Sequence, residues 1–236
     1  MTDLPHIGLY RRATAAALVL ASVLFLIDNI IHPKEYERDN EARQLAEIAS
    51  HADRWQLAHA LGFAAIVVFA AAVLGLAFLV RRRQPTLGLW AGALSVTGLI
   101  GLAAVITIDG YTWGVVGEVY QRRGVAPETV VITMHEVQRS DWSLVYYLTP
   151  VAWIVGMTLL AVGAARQGAV PVWAGALLAL GALMVGIETA VISNAYFIAA
   201  AAVLAAGSVA VAAAIARMSD ESFARGGVHD RLQDQQ

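Results

Sequence analysis

The chain has 236 residues, of which 58% are apolar and only 14% charged, with a formal net charge of −2. A soluble domain carries about 25% charged residues, so an ordinary soluble globule is excluded, and no basic stripe is present to hold nucleic acid. The absence of cysteine excludes disulfides, thiolate metal sites, iron–sulfur clusters and cysteine nucleophiles.

A hydrocarbon layer about 30 Å thick needs about 20 consecutive apolar helical residues. Six stretches meet that length: 13–31, 57–80, 87–108, 144–165, 170–192 and 195–216. The expected fold is therefore all-α, a single domain of six transmembrane helices in one bundle, followed by a disordered tail over 218–236.

The first stretch follows Arg11-Arg12 and ends in Ile27-Asp28-Asn29, with no small-x-small cleavage site behind its apolar core. It is expected to be retained as a helix and not removed as a signal peptide. The segment 33–56 holds good helix formers, with Ala42, Leu45, Ala46, Ile48 and Ala49 on one stripe. We expect a helix lying on the membrane surface.

The second stretch is followed by Arg81-Arg82-Arg83 and the third ends in Asp109. From there to Ser143 runs a second polar loop, loosened by Gly110, Gly114 and Gly117. Pro127-Glu128 opens a short interfacial helix within it. Trp55, Trp113, Trp142, Tyr146 and Tyr147 gather where amphipathic rings settle, at the membrane–water boundary. The fifth and sixth stretches form one apolar block interrupted around "IETAVISNAY", with Ser193-Asn194 as the expected turn.

Orientation follows from arginine placement. Arg11-Arg12, Arg81-Arg82-Arg83, Arg166 and Arg217 all fall on one side of a six-span layout, which should be cytoplasmic, with both termini. The opposite side holds 13 of the 18 acids and 4 of the 6 histidines, reckoning Asp28, Asp109 and Glu188 at span ends. A bacterial inner-membrane protein with its polar groups gathered outside is the expectation.

Those groups lie at similar depth. Asp28 and His32 are four residues apart, about 40° around a helix, and share a face. Trp55 and His59 repeat the spacing at the start of the second span. Asp109 closes the third, His135-Glu136 lie on the helix before the fourth, Glu188 lies near the end of the fifth, and Asn194 opens the sixth. An isolated ionised group in lipid costs several kcal/mol. The least costly arrangement turns Asp28, His59, Asp109, His135, Glu136 and Glu188 toward one another as a pocket, with His32 and Asn194 at its rim. The competing reading is that each carboxylate merely ends a helix among the headgroups.

"HEVQR" at 135–139 begins a zincin signature, but Arg139 stands where the second histidine must be. His59, His135 and a carboxylate could supply a three-ligand zinc site, though no spacing demands it. Haem on the same two histidines would lack a second cofactor near the cytoplasmic face, where no span carries a histidine to hold one. No nucleophile elbow, P-loop or dinucleotide fingerprint occurs. Clustered carboxylates could serve as general acid and base on a lipophilic substrate.

The reading that fits best is an outward-facing His/carboxylate pocket that binds, and in the enzymatic version converts, a small or lipidic ligand. The cofactor stays unassigned. One alternative is a proton- or cation-coupled transporter, although inverted repeats and mid-membrane polar groups are missing. Another is an accessory subunit. The small-residue spacings Gly88/Gly92 and Ala182/Gly186 suit close helix contact, with the bilayer, a second copy or a membrane complex as partner.

Overall fold

The computed structural model describes residues 6–33, 41–138, 143–187 and 193–227. Among them all regular structure is helical: α1 (Ile7–Ile31), α2 (Glu41–Ser50), α3 (Ala52–Arg81), α4 (Pro85–Asp109), a π-helical segment (Gly110–Val116), α5 (Gly117–Arg122), α6 (Pro127–Gln138), α7 (Ser143–Arg166), α8 (Val172–Gly186), α9 (Asn194–Arg217) and α10 (Asp220–Arg225). Local chemistry sets several boundaries. Pro85 occupies the first turn of α4, where its missing N–H costs nothing. The Ser193 and Ser219 hydroxyls accept the N–H groups of Tyr196 and Ser222 at the starts of α9 and α10. Gly226, at φ 85°, closes α10 in the left-handed conformation that suits glycine.

Five of these helices are long and apolar enough to cross a membrane: α1, α3, α4 with its continuation to Arg122, α7 from Leu148, and α9. The described part of α8 is apolar but has 15 residues; the five that follow its last turn, 188–192, lie outside the described residues. Leu20, Val67, Leu74, Ile100, Val151, Leu180 and Val209 are exposed along the middle of the long helices, the surface expected of a multi-pass protein solvated by lipid. Tyr10, Trp90 and Trp173 are exposed near one end of it, as an interfacial aromatic belt requires.

The long helices pack as a closed ring in the order α1–α3–α4–α7–α8–α9 and back to α1. Phe69 of α3 and Trp153 of α7 meet across its middle edge to face, centroids 5.7 Å apart. Two crossings depend on missing side chains. A β-carbon on Gly181 would lie 2.4 Å from the Leu204 Cα, and one on Gly207 would lie 2.5 Å from the Leu178 amide nitrogen, so α8 and α9 touch backbone to backbone. Gly98 and Gly156 do the same between α4 and α7, against Trp153 and Ser95. Without a strong hydrophobic drive between helices in lipid, such close contact supplies much of the attraction.

One end of the ring gathers the start of α1, the end of α9 with α10, and the short loops. Arg11 donates to the Ala216 carbonyl at 2.6 Å and to Asp220 at 2.9 Å, satisfying a carbonyl that the end of α9 leaves open. Gln167 donates to Leu79 and Gln84 to Gly163, tying the two short loops together. Residues 220–225, assigned by composition to a disordered tail, instead form α10, because Phe223 is a buried anchor that stacks 5.9 Å from Phe78. Residues 228–236 lie outside the described set.

The other end carries a small second core. Leu45 and Ile48 of α2, Trp55 of α3, Trp113, and Val130 of α6 pack together, with Tyr120 and Val125 at their edge. The stripe on α2 therefore covers neighbouring polar-end helices and does not lie on lipid. Asp109 does not end its helix either. The chain continues through the π-helical turn into α5, reaching Arg122 without a break.

Candidate functional site

The helix through Asp109 continues because its glycines let two rings come close. Gly110, Gly114 and Gly117 share one face, at i, i+4 and i+7. A β-carbon on Gly110 would meet the His59 ring at 2.7 Å, and one on Gly114 would meet the Trp55 ring at 2.8 Å. The Trp55 indole nitrogen donates to the Gly110 carbonyl at 3.1 Å. Wider π turns recur at functional sites because they free backbone groups and redirect side chains.

Three rings close up beside this turn. His32 caps α1, its backbone N–H donating to the Asp28 carbonyl. Its ring stands edge-on to Trp55 at 4.6 Å and tilted to His59 at 4.9 Å, while Trp55 and His59, four residues apart on α3, lie 4.4 Å from each other. Such pairs contribute about 0.5–1.5 kcal/mol each beyond area burial. The Arg54 guanidinium donates from Nε to the Ile31 carbonyl, fixing α1 to α3.

His59 is the most constrained member. Its side chain is 12% exposed, Nδ1 lies 2.9 Å from the Trp55 carbonyl, and Nε2 faces Asp109 Oδ2 at 3.6 Å. A carbonyl only accepts, so Nδ1 carries the hydrogen, and Nε2 is the ring nitrogen turned to the carboxylate. Asp28, buried on α1, lies against α3, where its carboxylate is 2.9 Å from the place a β-carbon on Gly62 would take. Gly62 is three residues beyond His59, so Asp28 sits about a turn deeper in the bundle than the imidazole.

Beside His59 a groove of about 250 Å³ opens between α3 and α4, lined by Gln56, His59, Ala60, Phe63, Ile106, Thr107, Gly110 and Val115. Its α3 members follow i, i+3, i+4, i+7 and form one face. Gln56, Ala60, Phe63 and Thr107 are exposed, so the groove opens sideways.

Of the residues expected to line a pocket, His59 lines the groove; Asp109 faces its Nε2 at 3.6 Å, the His32 ring stands 4.9 Å from its ring, and Asp28 lies deeper, against Gly62. Glu136 is exposed on α6 and Asn194 is exposed at the start of α9, whose main packing is against α1 and α8. Glu188 and the side chain of His135 lie outside what the structure describes. Among the described residues no group of three or more His, Cys, Asp or Glu side chains is arranged to hold a metal ion. Sequence reasoning treated Gly110 and Gly114 as looseners of a loop; their spacing, matched to Trp55 and His59, was the signal for a packed helix. Phe63, Ile106 and Thr107 gave no signal.

Comparison with protein-family models, with curated proteins and with solved structures returned no match to this chain.

Proposed function

We propose that the chain is one six-helix domain of a bacterial inner membrane, with both termini cytoplasmic and a ligand site at the outer rim, and that it binds a small or lipid-like molecule entering sideways from the outer leaflet. The observation that carries this reading is the placement of His59. It is a nearly buried imidazole, oriented by the Trp55 carbonyl and facing Asp109, at the edge of a groove otherwise lined mostly by apolar groups, with Gln56 and Thr107 as polar members. Binding sites commonly combine apolar walls with a few convergent polar groups. At about 250 Å³ the groove is below the 300–1,000 Å³ usual for a whole drug-sized ligand. It therefore suits one end of an elongated molecule whose remainder lies in lipid.

The test is photocrosslinking in native membranes with a benzophenone amino acid at position 63, in the groove, and at position 74, on the exposed lipid face. Intact-mass adducts at 63 that differ from those at 74 support a selected ligand. The same lipid mixture at both positions means that the groove holds only bulk lipid and removes the proposal.

A further inference from the structure

Three consecutive arginines close α3, and the fold crowds a fourth against them. Arg81 ends the helix, Arg82 follows it with helical backbone geometry, and Arg83 opens the turn to α4; all three are exposed. A β-carbon on Gly226, in the closing turn of α10, would stand 3.1 Å from the Arg82 Cβ and 3.2 Å from the Arg83 Cγ. Arg83 also donates from Nε to the Arg225 carbonyl at 3.3 Å. The two acids of α10 are already taken, Asp220 by Arg11 at 2.9 Å and Glu221 by Arg225 at 3.3 Å. Among the described residues, Arg81, Arg82 and Arg83 therefore have no carboxylate partner. Like charges gathered this closely repel, and an anion placed between them relieves the repulsion.

The placement of Arg82 indicates which anion. Helical side chains lean toward the N-terminus of their helix, and the Arg82 guanidinium lies back over the Phe78 ring, 4.6 Å from its centroid. Phe78 is stacked in turn on Tyr10 of α1, which is exposed among the interfacial aromatics. The charge is thus drawn a turn back along the span, to the depth of headgroups, and not held out into water. A guanidinium offers a phosphate two parallel N–H donors. Clusters of four or more cations beside a span commonly hold anionic headgroups.

We propose that Arg82 and Arg83, supported by Arg81 and Arg225, form a headgroup site for an anionic phospholipid in the leaflet at the α10 end, its phosphate seated between the α3–α4 turn and α10. The site is separate from the groove beside His59 and stands whether or not that groove holds a ligand.

The experiment offers the full chain, in detergent micelles, dioleoylphosphatidylglycerol or dioleoylphosphatidylcholine, which share chains and phosphate and differ in net charge. Retention on the protein is read by native mass spectrometry. The anionic lipid should be retained about tenfold over the zwitterionic one, the ratio that about 1.4 kcal/mol produces. Arg82→Gln combined with Arg83→Gln should bring the ratio close to one. Arg82→Lys combined with Arg83→Lys keeps both charges and should keep most of the preference, so a folding defect in the glutamine pair does not decide the matter. Arg166→Gln, at the exposed last residue of α7, should leave the ratio unchanged. A ratio near one on the native chain overturns the proposal, as does a lysine pair that behaves like the glutamine pair. An equal loss of preference with Arg166→Gln means only diffuse attraction between a positive end and negative lipid, and it overturns the site as well. Release of the bound lipid by excess soluble glycerol 3-phosphate would show that a free phosphate suffices and would remove the lipid assignment.

Discussion

Gly110 and His59 are in contact so close that a single methyl group would separate them: a β-carbon at position 110 would stand 2.7 Å from the imidazole Cδ2. The imidazole is also held by the Trp55 carbonyl, and Trp55 in turn donates to the Gly110 carbonyl. The three residues form a small closed circuit between α3 and the π-helical turn. Gly110→Ala should push the ring away from Asp109 and strain that circuit, costing about 1–3 kcal/mol as overpacking commonly does. A fall of several degrees in the melting midpoint in detergent is the expected result, with a larger loss in ligand retention than in stability. An unchanged midpoint and unchanged retention would show that the ring is free to move and that the contact has no role.

The α8–α9 crossing should be less forgiving. At Gly110 the atom in the way belongs to a side chain, whereas a β-carbon on Gly181 meets the Leu204 backbone at 2.4 Å and one on Gly207 meets the Leu178 backbone at 2.5 Å. Backbone cannot swing aside, so both helices must part along their length. Gly181→Ala and Gly207→Ala should each cost about 3 kcal/mol or more, the upper part of the overpacking range. The double variant should cost less than the sum, because the first separation relieves the second. Denaturation of the three variants in mixed micelles measures this, and simple additivity would contradict a shared crossing.

How much of this was legible beforehand depended on which force decided each element. The span ends at Ile31, Arg81, Arg166 and Arg217 fall within a residue or two of the expected ones, because lipid excludes charge and the arginines mark the boundary. The polar-end helices were visible as helices, but the partner of the Leu45 and Ile48 stripe was not. Periodicity reports that a face is apolar, not what covers it. Asp109 looked like a terminus because a charge followed by glycines usually is one; the helix persists because Trp55 and His59 fill the space those glycines leave. Phe223 was hidden in a polar tail, since one aromatic in six residues gives no period. The nearness of His59 to Asp109 follows the expectation drawn from the cost of charge in lipid, whereas the sideways groove depends on helix separation, which no sequence pattern records.

Phe223 offers a test of whether α10 is an independent clasp. Its ring is fully buried near Phe78, and α10 is otherwise tied to the bundle by Arg11–Asp220 and by Arg83 donating to the Arg225 carbonyl. Removing a buried phenyl costs about 3–5 kcal/mol when the whole fold must bear it. Here the short helix can detach instead, so the loss is limited to its docking energy. Phe223→Ala should leave the melting midpoint nearly unchanged while amide exchange over 219–227 rises to that of a free segment. Arg11→Gln should raise exchange over 216–220 more modestly, since Asp220 is half exposed and such pairs contribute little. A large drop in the midpoint with Phe223→Ala would mean that α10 is part of the main cooperative unit.

The absence of cysteine makes the proposed orientation directly testable, because every introduced thiol is then the sole label site. Arg11 at the start of α1 touches Ala216 at the end of α9, so any membrane arrangement must put these two positions on the same side, and the number of crossings between them must be even. Five crossings would violate that condition, so the proposed layout assigns the sixth to α8, whose described part has 15 residues. Single cysteines at Ala46, Ala126 and Asn194 should react with a membrane-impermeant maleimide in intact cells, and those at Arg82, Gly168 and Gly226 only after permeabilisation. The reverse pattern would overturn the orientation inferred from arginine. Labelling of Asn194 and Gly168 from the same side would show that α8 does not cross; the described contacts of α9 with α1 would then require a different helix to turn back within the membrane, and the six-span layout would have to be abandoned.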